Sequence, residues 1–218
     1  MNRKTLLELI EKGEGISIEF KQRFSDHKKI AKEMIAFANT IGGYIIFGVD
    51  DDTSVYGVES EKGEAELIKE TAESYCEPSV NYRLYFVELL GKEIVIAEIF
   101  ESQNKPVRIQ DYTTEIDLNL AEVYIRVKDK SVPASKEMVK ILQARTKRMM
   151  LKNYQVGKSE KIVFQFLDHN EAITVKQLGE IANISNRRAS RTLIKLVRAN
   201  LLNIHTKENG ENFFTAAI

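Results

Sequence analysis

Between Ser185 and Asn200 stand five basic residues, Arg187, Arg188, Arg191, Lys195 and Arg198, and no acidic one. Such groups suit a polyanion. Lys and Arg neutralise phosphate, and the paired donors of Arg match two acceptors on the edge of guanine. Ser190, in the same stretch, offers a hydroxyl to phosphate or base. The plainer alternative is a solvated basic face on a helix that only packs against its neighbours. A second run, Lys136 to Lys152, holds six Lys and Arg opposed only by Glu137. It fits either a track for a phosphate backbone or an ordinary charged helix surface. The first half offers different chemistry. Glu14 and Glu19 flank one predicted strand and Asp50 ends another. Two glutamates and an aspartate are hard oxygen ligands, able to hold a divalent cation and activate water against a phosphodiester. Against that, Glu19 can simply pair with Lys21 or Lys32, and the aspartates can shape a turn.

Other chemical signals are thin. His27, His169 and His205 are scattered, without metal-ligand spacing. Cys76 is the only cysteine; it forms no intramolecular disulfide and reads as a small buried apolar residue. Gly157-Lys158-Ser159 ends like a phosphate-binding loop, but Lys152 stands where the first glycine belongs and no apolar strand leads in. Gly42-Gly43 lacks the further glycine and following helix of a dinucleotide fingerprint. No cofactor is expected on these grounds.

The chain has 218 residues, 43% hydrophobic and 29% charged, a soluble globular composition with room for one large or two modest domains. No apolar run is long enough to span a bilayer, and the charged N-terminus has no signal-peptide core. The expectation is a cytoplasmic protein without a membrane partner. Net charge is zero but unevenly spread. Residues 1–104 carry 12 Lys and Arg against 20 Asp and Glu, and residues 105–218 carry 20 against 12. A polyanion should therefore meet mainly the second half.

The basic run must be placed by local structure, and its surroundings are punctuated. Helices are predicted for Glu160–Leu167, from a Thr174 cap to Ala182, and from a Ser185 cap through Asn186–Ala199. Asn183-Ile184-Ser185 is the turn between the last two. Leu201–His205 and Asn212–Thr215 then flank Lys207-Glu208-Asn209-Gly210, whose Asn-Gly marks a hairpin. Three helices and a hairpin predict a winged helix-turn-helix, with Arg187, Arg188 and Arg191 at the end of the reading helix that meets base edges. Asn153 to Ser159 reads as a linker.

Upstream, a short helix ends at Gly13 and Ile16–Lys21 alternates as a half-buried strand. A helix capped by Asp26 runs through Thr40, where Gly42-Gly43 stop it. Tyr44–Val49 is a strand buried on both faces. Asp50–Thr53 turn the chain into a return strand, Ser54–Val58. A helix over 61–76, a hairpin of Val80–Glu88 with Glu93–Phe100, a long loop over 101–121, a strand Glu122–Val127 and a helix Ala134–Leu151 complete this half.

The central wording, AFANTIGGYIIFGVDDD at 36–52, resembles the signature of the Schlafen/AlbA-like DNA-binding domain family. Glu14-Gly-Ile-Ser-Ile-Glu19-Phe20-Lys21 resembles its opening motif, and Pro78, Lys105-Pro106, Tyr124-Ile125-Arg126-Val127 and Ser135 match downstream, so that the likeness covers roughly residues 10–145. The Schlafen branch includes RNA endonucleases. The resemblance thus implies an acidic triad at Glu14, Glu19 and Asp50, with Asp51 the alternative to Asp50, using magnesium or manganese if the protein is a nuclease. The C-terminal part resembles, in pattern, winged-helix DNA-binding domains of bacterial regulators.

Together these readings give an α+β protein: a mixed-sheet Schlafen/AlbA-like domain over residues 1–150, then a smaller winged-helix domain over 158–218. The expected function is DNA binding in transcriptional regulation through Arg187, Arg188, Ser190, Arg191, Lys195 and Arg198. The first domain would add nucleic-acid contact, dimerisation or ligand response. DNA is the expected partner, RNA and a second copy of the chain are compatible ones, and a metal-dependent endoribonuclease is the alternative.

Overall fold

A computed structural model describes residues 1–117, 120–146 and 154–217. They divide into two units, Met1–Pro133 and Ala134–Ile218.

In the first unit, α1 (Arg3–Lys12) is capped by the Asn2 side chain and closed at Gly13. Strand β1 (Ile18–Lys21) leads to α2 (His27–Asn39), whose first turn is capped by Asp26 as predicted. The amides of Thr40 and Gly42 both return to the Phe37 carbonyl and end the helix. Gly42 has φ +76, and a Cβ there would lie 2.6 Å from the Ile99 carbonyl oxygen; only glycine fits this close approach. Strand β2 (Gly43–Phe47) then runs parallel to β1, with α2 as the crossover that parallel neighbours require. After α3 (Glu61–Ser74) and the two-residue β3 (Cys76–Glu77) come β4 (Tyr82–Leu89) and β5 (Lys92–Ile99), joined through Leu90 and Gly91. Both turn residues have positive φ, as a two-residue hairpin turn favours. Strand β5 pairs antiparallel with β2 and β4, giving a mixed sheet of order β1-β2-β5-β4.

Strand β2 is buried on both faces, as its unbroken apolar run predicts. Ile45 and Phe47 join the cluster formed with α2 and α3, while Ile46 faces the one formed with α1. The predicted return strand Ser54–Val58 does not form. Gly48, at φ +99, turns the chain, and the amides of Tyr56 and Gly57 converge on its one carbonyl. No ladder can start from that geometry, and only the bridge Val49–Val55 remains. The long loop is interrupted by β6 (Arg108–Ile109), which pairs with β3. Strand β7 (Tyr124–Val127) is followed by a partner the sequence did not suggest, β8 (Lys130–Pro133).

The second unit holds α4 (Lys136–Thr146), α5 (Lys158–Leu167), α6 (Val175–Ile181), α7 (Asn186–Arg198) and the antiparallel hairpin of β9 (Leu202–Thr206) with β10 (Asn212–Ala216). Thr174 and Gln177 form a reciprocal capping box on α6, and Ser185 caps α7. The predicted boundary near residue 150 is corrected to Pro133/Ala134. The reason is Ile141, which is buried with Val163, Leu193 and Phe214 and ties α4 to this core. The far end of the predicted helix, to Leu151, and Lys147, Arg148 and Lys152 of the second basic run lie outside the described residues.

Candidate nucleic-acid interface

Two charged constellations emerged from the sequence, and the fold disposes of them differently. In the first unit, Glu19 lies on β1 and Arg126 on β7, 107 residues apart. The Arg126 side chain is wholly buried. Its Nη1 donates to Glu19 Oε2 at 2.8 Å and to Glu33 Oε2 at 3.1 Å, and its Nη2 donates to the Gly15 carbonyl at 2.6 Å. The Ser131 hydroxyl on β8 donates to the same Glu33 oxygen. The guanidinium carbon sits 4.6 Å from the centre of the Phe37 ring, a cation–π placement. Lys21 takes the other oxygen of Glu19, one of the two partners foreseen for it. The other, Lys32, lies over the Tyr124 ring instead.

Glu14 accepts the Phe20 amide at 2.8 Å. Burial pushes its carboxyl above the usual carboxylate range, the Phe20 amide opposes this, and Glu19 and then Asp51 raise it further. Burial, and then Glu19, likewise push Glu33 up. Asp50 shapes a turn: its Oδ1 accepts the Asp51 amide and its carbonyl accepts the Thr53 amide. The proposed triad is therefore corrected. Glu14, Glu19 and Asp50 do not gather as a metal-binding group, and no cluster of three His, Cys, Asp or Glu suited to a metal occurs among the described residues. The carboxylates do not fit a divalent cation as placed, because both oxygens of Glu19 are engaged by cations of the protein. Sequence reasoning missed Glu33 and Ser131. It met Arg126 only as a motif letter, although an arginine inside an otherwise apolar strand segment calls for a buried partner.

In the second unit the basic run behaves otherwise. On α7 the spacing of Arg187, Arg191, Lys195 and Arg198 lines them along one face, with Arg188 at its edge. Arg187, Arg188, Arg191 and Lys195 are exposed, and none of the four has a carboxylate partner among the described residues. The opposite face buries Ala189, Leu193, Leu196 and Val197. Ser190 is a correction. It is only 7% exposed, and its hydroxyl donates to Glu137 of α4 at 2.6 Å, so it is unavailable to an external phosphate or base. Gly157 stands at the N-cap of α5, and no strand occurs among the described residues just before it.

The mixed-sheet unit with its opening Glu-Phe-Lys strand and Gly-Gly turn is the class of domain that the motifs suggested. Residues 14–135 match the family model of Schlafen, AlbA_2, and the chain belongs to that family. It is 30% identical over 179 residues to an uncharacterised ATP-binding protein, UU034, of Ureaplasma parvum serovar 3, covering 73% of this chain and 48% of that one. The chain thus spans about half the length of this curated relative. Among solved structures, it is similar to the DIP2311 protein from Corynebacterium diphtheriae, with 18% identity, TM-score 0.43, and coverage of 65% of this chain and 32% of that one. It is also similar to the N-terminal domain of an ATP-dependent DNA helicase RecG-related protein from Nitrosomonas europaea, with 23% identity, TM-score 0.38, and coverage of 50% and 81%. Among the described residues no helix is long and apolar enough to cross a membrane.

Proposed function

We propose that the chain is a DNA-binding protein acting in transcriptional regulation. In this reading α5, α6, α7 and the β9–β10 hairpin form a winged helix-turn-helix, with α7 as the reading helix. The observation that carries it is the row of exposed cations on α7, Arg187, Arg188, Arg191 and Lys195, which have no carboxylate partner among the described residues and stand directly after a short turn from α6. In a helix-turn-helix the second helix lies in the major groove, its first residues at base edges. Arg187 and Arg188 hold that position here, and Arg191, Lys195 and Arg198 follow as phosphate contacts. The hairpin would serve as the wing. The Schlafen, AlbA_2 unit would contribute dimerisation, further nucleic-acid contact or ligand response.

The endoribonuclease reading gains no support from the carboxylates, since Arg126 and Lys21 already occupy Glu19. Gly157-Lys158-Ser159 lacks the first glycine of a phosphate-binding loop and opens α5, so it lends no support to the ATP binding in the Ureaplasma relative's name. A gel-shift series with random-sequence duplex DNA and RNA, with and without magnesium or manganese, tests the proposal. A salt-sensitive DNA shift supports it. A cleaved product that depends on the metal, or no shift with either nucleic acid, overturns it.

A further inference from the structure

Helices α4 and α7 lie side by side in the second unit. Glu137 meets Ser190 at one end, and Ala144 faces the same cavity as Arg198 further along. Between them runs an open groove of about 420 Å³. Its walls carry four cations, Lys140 from α4 and Arg191, Lys195 and Arg198 from α7, and among the described residues its lining includes Ala144 and Ile194 and no carboxylate.

We infer that this groove is the cradle for one sugar-phosphate strand of duplex DNA, with α7 inside the major groove and α4 outside it. The inference rests on the proposed DNA-binding role of α7. Two packed helices stand about 8–10 Å apart, and each is about 10–12 Å across with its side chains. The major groove, about 12 Å wide, admits one helix and not two. If α7 enters, α4 is held over the strand that borders the groove. Lys140 then reaches that strand from the side away from α7, while Arg191, Lys195 and Arg198 reach it from the major-groove side. The apolar floor formed by Ala144 and Ile194 suits the sugars, which carry no charge. Ile141, buried in the core of this unit, holds α4 in this position, so α4 acts as a phosphate-contacting element and not as a mere connection.

The test is fluorescence anisotropy of the full chain with several 20-base-pair DNA duplexes of unrelated sequence, at a series of salt concentrations. Removing one phosphate contact lowers the slope of log affinity on log salt by about 0.9. Lys140→Ala is expected to do this and to weaken every duplex alike. Gln143→Lys, which adds a cation to the same wall, is expected to tighten every duplex and steepen the slope. Because it is a gain of binding, it cannot be mistaken for loss of fold. If Lys195→Ala weakens DNA binding while both α4 variants bind as the wild type does, the cradle is overturned and the reading helix stands. If the wild type binds no duplex DNA at any salt, the cradle and the reading fail together. A preference for duplex RNA overturns the cradle as well, because the narrow A-form major groove does not admit α7.

Discussion

In the first unit Arg126 gathers Glu19 and Glu33 about one buried guanidinium, whereas in the second Arg187, Arg188, Arg191 and Lys195 stand exposed with no carboxylate beside them among the described residues. Both constellations look functional in a bare sequence, because each collects like-charged residues at suggestive spacing. What separates them is whether the fold supplies the counter-charge. Where it does, the ionised groups are part of the core, since a charge leaves water only if it is paired. Where it does not, the counter-charge must come from solvent ions or from a partner, and displacing those ions is what drives binding to a polyanion.

The comparison breaks first at Arg126. Replacing it with Met keeps much of the apolar stem but leaves Glu33 buried without its guanidinium and Glu19 with Lys21 alone. Removing one partner of a buried pair costs about 3–5 kcal/mol, and this change is expected at the upper part of that range because two carboxylates lose the same partner. Urea unfolding of the full chain measures it. A loss below about 1 kcal/mol would mean that the guanidinium does little to hold β7 against β1 and α2. Arg126→Lys should rescue little, because an ammonium cannot reproduce the fork that meets Glu19 with one nitrogen and Gly15 with the other.

On the other side of the comparison, Arg187→Ala and Arg188→Ala should leave unfolding midpoints unchanged and reduce discrimination between DNA sequences by about 1–3 kcal/mol. Competition binding with scrambled sites reads this directly. Uniform weakening with no change in preference would place these residues on phosphate instead of base edges. Ser190→Ala is the sharper contrast, since it sits in the same run but faces inward. It should cost about 1 kcal/mol of stability through the lost bond to Glu137 and leave DNA affinity at the wild-type level. A selective loss of DNA binding without destabilisation would place the Ser190 hydroxyl on DNA and not on Glu137.

Much of the fold was legible because it is local. The caps at Asp26, Thr174 and Ser185, the Gly-Gly stop and the two hairpin turns are decided by residues within a few positions of one another. The stripe on α7 was legible for the same reason. The lost return strand Ser54–Val58 is a local failure, set by the turn at Gly48; the others are long-range. Ser190 is covered by Glu137, 53 residues earlier, so helical periodicity could mark the core face of α7 but not a second neighbour. The allegiance of α4 depends on where Ile141 packs, which no spacing within α4 reveals. Strand β8 reads weakly because Lys130-Ser131-Val132-Pro133 is short and ends in proline. Its value lies in bringing Ser131 to Glu33, 98 residues away. The acidic triad failed as a cluster because its partner Arg126 lies more than a hundred residues further on.

The smallest effect concerns the first unit's dependence on acidity, where paired and buried carboxylates pull in opposite directions. Asp111 accepts from Arg108 at 3.1 Å and from the Thr113 hydroxyl at 2.7 Å. Arg108, and then Thr113, hold its carboxyl down to about 2. In the unfolded chain it would release its proton near the ordinary value, so the folded state holds the proton less tightly. Asp111 therefore contributes stability that is complete above about pH 4 and is lost as the pH falls towards 2. Glu33 has the opposite sign. Burial raises it, so the folded chain keeps a proton that the unfolded chain has already released, and stability declines as pH rises through the window just above 4.5. Thermal melts of the full chain between pH 2 and 6 should show both limbs. Asp111→Asn should flatten the acid limb and leave the other. Glu33→Gln should make the limb above 4.5 shallower without removing it, because Glu14 is raised as well, and by less than burial alone suggests, because Ser131, Lys32 and Arg126 favour the ionised Glu33. If Glu33→Gln instead steepens that limb, the ionised Glu33 is a net stabiliser, and its hydrogen bonds and Arg126 outweigh burial there.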